Sequence, residues 1–96
     1  MEQVKNTSRI IRTKEVKTTD ADYTYTLFVN ESDKVASYRL PLYSIHIRMI
    51  DNEGNETSST VREIFSDFNK ANRFFNRMID NLATPIDLPY IVEDEI

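Results

Sequence analysis

The stretch from Ser66 to about Leu82 constrains this chain more than any other, because it is the one long segment whose apolar residues keep a helical period. Phe68, Ala71, Phe75, Met78, Ile79 and Leu82 recur at spacings that gather them on one side of an α-helix. Asn69, Lys70, Arg73, Asn76, Arg77 and Asp80 fall mostly on the other. Ser66 is the expected N-cap, with Asp67 favouring the positive end of the helix dipole. Such a helix must lay its apolar side on something, and 96 residues hold one core, so the expectation is a single domain over 1–96 built from this helix and one sheet. The ends, 1–8 and 94–96, are the segments left open to disorder.

The sequence before the helix supplies that sheet. Residues from about Arg9 to Thr18 read as an edge strand, since Arg9, Arg12, Lys14 and Lys17 would discourage pairing with other chains. After the turn Thr19-Asp20-Ala21-Asp22, the residues Tyr23, Tyr25, Leu27 and Val29 alternate with Thr24, Thr26 and Asn30, and only Phe28 breaks the pattern. This is a half-buried strand rich in β-formers. A polar turn from Asn30 to Lys34 leads to a third strand, about Ala36 to Ile50. Its parity changes midway, with Tyr38, Leu40 and Leu42 on one face and Tyr43, Ile45, Ile47 and Met49 on the other. A bulge or break is therefore expected near Pro41 to Tyr43.

Asp51-Asn52-Glu53-Gly54-Asn55 holds the single glycine of the chain and reads as a hairpin. Glu56 to Phe65 would be its second arm, although Val61, Ile64, Phe65 and Phe68 also fit a helical period. The strand is preferred because Thr57-Ser58-Ser59-Thr60 are poor helix formers. None of the connections is long enough for a parallel crossover, so the sheet is expected to be an antiparallel meander. Beyond the long helix, Ala83-Thr84-Pro85 is the stop and Asp87 the expected N-cap of a short C-terminal helix carrying Leu88, Ile91 and Val92. The fold class is α+β: a four-stranded antiparallel meander, one amphipathic helix on one face, and a short C-terminal helix.

This order of elements carries a resemblance. The hairpin, Ile64-Phe65-Ser66-Asp67, the amphipathic helix, Pro85-Ile86-Asp87-Leu88 and Val92-Glu93-Asp94 resemble a family of short Gram-positive bacterial proteins known as a domain of unknown function, over about Tyr23 to Glu95. The resemblance implies a bacterial cytoplasmic protein. It brings no activity, cofactor or catalytic residue.

Chemistry is sparse. There is no cysteine, which excludes disulfides, thiolate nucleophiles and Cys-based metal sites and is compatible with a reducing cytosol. The N-terminus has no apolar core of a signal peptide, and no uninterrupted apolar run exceeds three residues, so secretion by a standard signal and membrane spanning are disfavoured. The acceptor patterns at Asn6, Asn30 and Asn55 are accordingly read as chance. One glycine cannot build a phosphate cradle. Asp51, Glu53 and Glu56 superficially suggest a calcium loop, but Gly54 sits three positions after the first Asp and no bidentate Glu closes the loop, so a solvated turn is preferred. Glu15-Val16-Lys17 has the spacing of a nuclease metal site without a preceding Asp. No metal site and no cofactor are expected.

His46 is the single histidine, placed with Ser44 and Arg48 on the face opposite Ile45 and Ile47. As a general acid or base it would need Arg39, Arg48 or Glu63 nearby, as in small ribonucleases built on antiparallel sheets. It is the weak catalytic candidate; the preferred reading is a polar surface residue. A net charge of −4 disfavours broad nucleic-acid binding, and the stripe Lys70, Arg73, Arg77 reads as a solubilising face. What remains is a small interaction or regulatory module. Phe28 and Ile50, out of phase with the inward faces of their strands, and Phe74 on the helix flank are the candidate contact residues. The expected partner is a protein or a second copy of the chain, with a small hydrolase using His46 as the alternative.

Overall fold

The computed structural model describes residues 6–32 and 41–95. The order is β1 (Asn6–Lys17), β2 (Ala21–Ser32), β3 (Leu42–Asp51), β4 (Glu56–Phe65), α1 (Phe68–Asp80) and α2 (Leu88–Glu95). The four strands form one antiparallel sheet in sequence order, the expected meander with its two helices. The third strand's expected residues Ala36 to Leu40, like the ends 1–5 and Ile96, lie outside the described residues. Of the segments left open to disorder, β1 already runs from Asn6 and α2 continues to Glu95.

Alternation in β2 fixes which face is the core. Tyr23, Tyr25, Leu27 and Val29 are buried, and their partners Ile45 and Ile47 on β3 are fully so. α1 lies over β2, β3 and β4 with Ala71, Phe74, Phe75 and Met78 buried, and α2 packs against β4 through Leu88 and Val92. Both helices thus occupy the same face of the sheet. Tyr25 is tied across this layer, its hydroxyl donating to the Ala83 carbonyl at 2.8 Å just beyond α1.

Several local features depart from expectation, each for a physical reason. Asp67, not Ser66, caps α1: its backbone is extended and its carboxylate accepts from the Lys70 N–H at 3.3 Å. α1 ends at Asp80, before proline could act, because Leu82 adopts φ 52° and the Ala83 N–H reaches back to the Met78 carbonyl, a Schellman-type close. Ahead of α2 the capping residue is Thr84. Its hydroxyl accepts from the Asp87 N–H while the Asp87 carboxylate accepts from the Thr84 N–H, both at 3.2 Å, with Pro85 in the position that needs no donor.

The expected break near Pro41 coincides with the start of β3 at Leu42, and the register shift beside Tyr43 is carried by the neighbouring strand. The β2–β3 register runs unbroken from Leu42, while on the other side Tyr43 faces Phe65 and Ile45 faces Val61, so β4 carries the extra residues. Glu63 turns there through φ 57°. The buried Ser44 hydroxyl accepts its N–H at 2.8 Å, which holds a conformation that most side chains avoid. A second bulge, unforeseen, lies in β1, where Ile11 is the residue left over between Ile10 and Arg12.

That bulge brings Arg12 to the helix face, opposite Leu27. Its Nη1 donates to Asn72 and Asn76 at 2.6 and 2.7 Å, and the guanidinium stands 5.1 Å over the Phe75 ring. The cation that marked β1 as a defended edge therefore also pins the helix. Arg12→Ala should cost about 1 kcal/mol, and Arg12→Lys should recover little of it, because an ammonium lacks the flat face that stacks on Phe75 and the fixed direction of the Nη1 bonds. Paired chemical denaturation curves check this; a fully restored midpoint in the lysine variant would contradict the planar-group contact.

The β3–β4 turn is the expected hairpin, with Gly54 at φ 84°. Asp51 organises it, accepting from the N–H groups of Asn55 and Glu53 at 2.9 Å each. The Asn55 N–H, followed by the Asn55 side chain and the Glu53 N–H, holds the Asp51 carboxyl below its ordinary value. A lowered folded pKa means this contribution is complete above about pH 4, the unfolded value, and fades as acid takes the pH through the folded one. The wild-type denaturation midpoint should accordingly fall faster with acid than that of Asp51→Asn. Parallel curves for the two would remove Asp51 from the turn's energetics.

Candidate functional site

The face of the sheet away from the helices is built by register. Thr13, Thr26, His46 and Thr60 form one row across the four strands, and Glu15, Thr24, Arg48 and Ser58 form the next. No described helix packs on this face. His46 stands where the alternation put it, half-buried, sharing a 2.6 Å hydrogen bond between its Nδ1 and the Thr60 hydroxyl.

The groups proposed to work with His46 are engaged elsewhere. Arg48 pairs with Glu56 at 2.7 Å, and that hydrogen bond, reinforced by the carboxylate's charge, raises its pKa. Glu63 accepts from the Asn30 side chain at 3.4 Å. Arg39 lies outside the described residues. Ser8, Asn30, Ser44 and Glu63 instead make a polar chain across all four strands: Ser8 donates to Asn30 at 2.8 Å, and Asn30 donates to Ser44 at 3.5 Å. Its evident work is to stabilise the β4 bulge. Of the supposed calcium loop, Asp51 closes the turn and Glu56 belongs to Arg48. Among the described residues no three His, Cys, Asp or Glu side chains stand close enough to hold a metal.

The three candidate contact residues do not form one patch. Phe74 is 2% exposed, packed on Phe65 with ring centroids 5.4 Å apart, and the Arg77 guanidinium lies 5.9 Å from its ring. It is core, not surface. Phe28 and Ile50 both lie on the open face, half-buried, but Phe28 faces Ser44 while Ile50 faces Asp22, six rungs away. At about 3.3 Å per residue that separates them by roughly 20 Å. The neighbour of Phe28 is Ile10, 67% exposed on β1, a pairing that the β1 bulge makes unreadable from sequence. Ile86, just before α2, and Tyr90, on it, each 68% exposed, are further apolar surface that periodicity does not single out.

Among the described residues the sheet order leaves two edges. β1 carries charge along its length and is bent by a bulge. β4 differs: Thr57-Ser58-Ser59-Thr60-Val61 bears no charge, and it pairs regularly with β3 from Glu56 to Val61. The Asp51 N–H bonds to the Asn55 carbonyl at 3.0 Å. Alternation from that pair gives Thr57, Ser59 and Val61 the bonds to β3 and turns the amide groups of Glu56, Ser58 and Thr60 outward. A straight, uncharged, outward-facing backbone edge is what strand addition requires.

A family model described as a family of unknown function (DUF6514) matches residues 1–96. No curated protein and no solved structure matches the chain.

Proposed function

The chain belongs to this family of unknown function, and on that premise we propose that it is a small protein-interaction module of the bacterial cytoplasm, of Gram-positive origin, that works through its open β4 edge. The observation carrying this reading is the uncharged run from Thr57 to Val61 on an edge strand whose alternate amides point away from the sheet. The polar groups that a small hydrolase would need support it by their other engagements: His46 with Thr60, Arg48 with Glu56, and Glu63 with Asn30. No helix among the described residues is long and apolar enough to cross a membrane.

The experiment is photo-crosslinking in the native cell from a photoreactive residue in place of Thr60. A discrete protein adduct is expected, absent when the same group replaces Lys70 on the exposed side of α1. No adduct from Thr60 would overturn the module reading. A screen on RNA and phosphodiesters tests the alternative, and turnover that disappears in a folded His46→Ala variant would establish the hydrolase instead.

A further inference from the structure

The β4 edge is self-complementary, and we propose that its occupant is a second copy of this chain, joined by antiparallel β4–β4 pairing about a twofold axis at Ser59. The inference rests on the module reading and names its partner. Outward amides at Glu56, Ser58 and Thr60 restrict the registers, since a hydrogen-bonded pair needs an outward-facing residue from each strand. Among the registers this allows, charge selects one. With Ser59 opposite Ser59, Ser58 faces Thr60 of the second copy and Glu56 faces its Arg62.

That register sets an acidic residue against a basic one at both ends of the seam, and leaves only Thr, Ser and Val between them. Glu56, opposite Ile50, lies on the helix-free face, and Arg62 is the first residue past the last regular pair, Ile45 with Val61, where continued alternation carries it to the same face. Arg62 and Glu56 are exposed in the single chain, and Glu56, held there by Arg48 at 2.7 Å, would stand between that arginine and Arg62 of the second copy. The bulge at Glu63 ends the straight edge just past Arg62, so the seam stops where the charge pair closes it. A twofold axis perpendicular to the sheet makes one continuous sheet of both copies, with all helices on one side and the rows through His46 and Thr60 on the other. The two α2 helices, which pack against β4, then flank the seam.

Sedimentation equilibrium across about 5 to 500 µM tests it, a range suited to a small polar interface. The wild type should dimerise within this range. Ser58→Pro removes an outward N–H that β3 does not use, so the monomer should keep its circular dichroism while the dimer is lost. Should that variant misfold, charge reversal serves. Arg62→Glu should weaken the dimer about tenfold by placing Glu opposite Glu, and Glu56→Arg with Arg62→Glu, made in an Arg48→Thr chain so that the new arginine meets no cation of its own strand pair, should return it to within about threefold of the Arg48→Thr chain. A monomer at every concentration would overturn the dimer, and an adduct of another mass from the Thr60 crosslink would then leave the module reading standing. Undiminished dimer in folded Ser58→Pro would overturn the edge, and no recovery in the double reversal would overturn the register.

Discussion

Phe75→Ala should lower folding stability by about 3–5 kcal/mol, the range for deleting a buried aromatic whose surroundings cannot collapse. Phe75 is fully buried in the face of α1 that meets the sheet, with Ala71, Phe74 and Met78 around it and Arg12 stacked on its ring. The packed helix and sheet are stiff elements, so the removed ring leaves a cavity as well as lost contact. The Arg12 bonds to Asn72 and Asn76 would keep their partners but lose the ring beneath them. A small domain has only a few kcal/mol to lose, so the variant should be largely unfolded near body temperature. The check is its midpoint in urea, which must fall well below wild type. An unchanged midpoint would mean that α1 does not hold the core. Lys70→Ala, on the exposed side, should be near neutral.

Tyr25→Phe should cost about 1–3 kcal/mol at neutral pH, because it leaves the Ala83 carbonyl buried without its donor. It should also change the alkaline limb of stability. Burial chiefly, then the neighbouring Tyr23 and Asp87, pushes the Tyr25 hydroxyl up from 10.0 to about 12. The unfolded chain therefore releases this proton first. The contribution is whole below about pH 10 and is lost as the pH rises toward 12, a difference of roughly 2–3 kcal/mol at the limit. Wild type should converge on Tyr25→Phe over that interval. If the gap between the two is the same at pH 8 and pH 11, the hydroxyl is not protected as described.

Much of the fold is legible because its signals are local. Alternation in Tyr23 to Val29 identifies the core face, Gly54 the hairpin, and the Phe75 to Met78 stripe the helix. Phe74 stands three residues after Ala71, in phase with the buried face, yet what completes its burial is Phe65, a contact across the chain that periodicity alone does not weigh. Phe68, which the period places inward, is 40% exposed and meets Tyr43 edge-on, since the first turn of α1 lies at the margin of the core. The Thr84 and Asp87 capping box is legible in the sequence as a Thr followed three residues later by an Asp, with the Thr rather than the Asp as the cap.

The two bulges were not readable, because Ile11 and Glu63 are ordinary residues whose positions depend on register. They matter for the candidate surface. The β1 bulge brings Ile10 beside Phe28, and the β4 bulge limits the straight edge to the segment ending at Arg62. The residues of the β4 edge were in view throughout as poor helix formers. That they form an edge needed the sheet order, in which no strand among the described residues pairs beyond them.

The most direct measurement is amide hydrogen exchange at Ser58 and Thr60, followed by NMR at about 20 µM and about 1 mM protein. In a single chain these amides face outward and should exchange quickly, unlike those of Ser59 and Val61, which bond to β3. Strand pairing between copies predicts that Ser58 and Thr60 become protected as concentration rises while Ser59 changes little. Equally fast exchange of both amides at the two concentrations would contradict it.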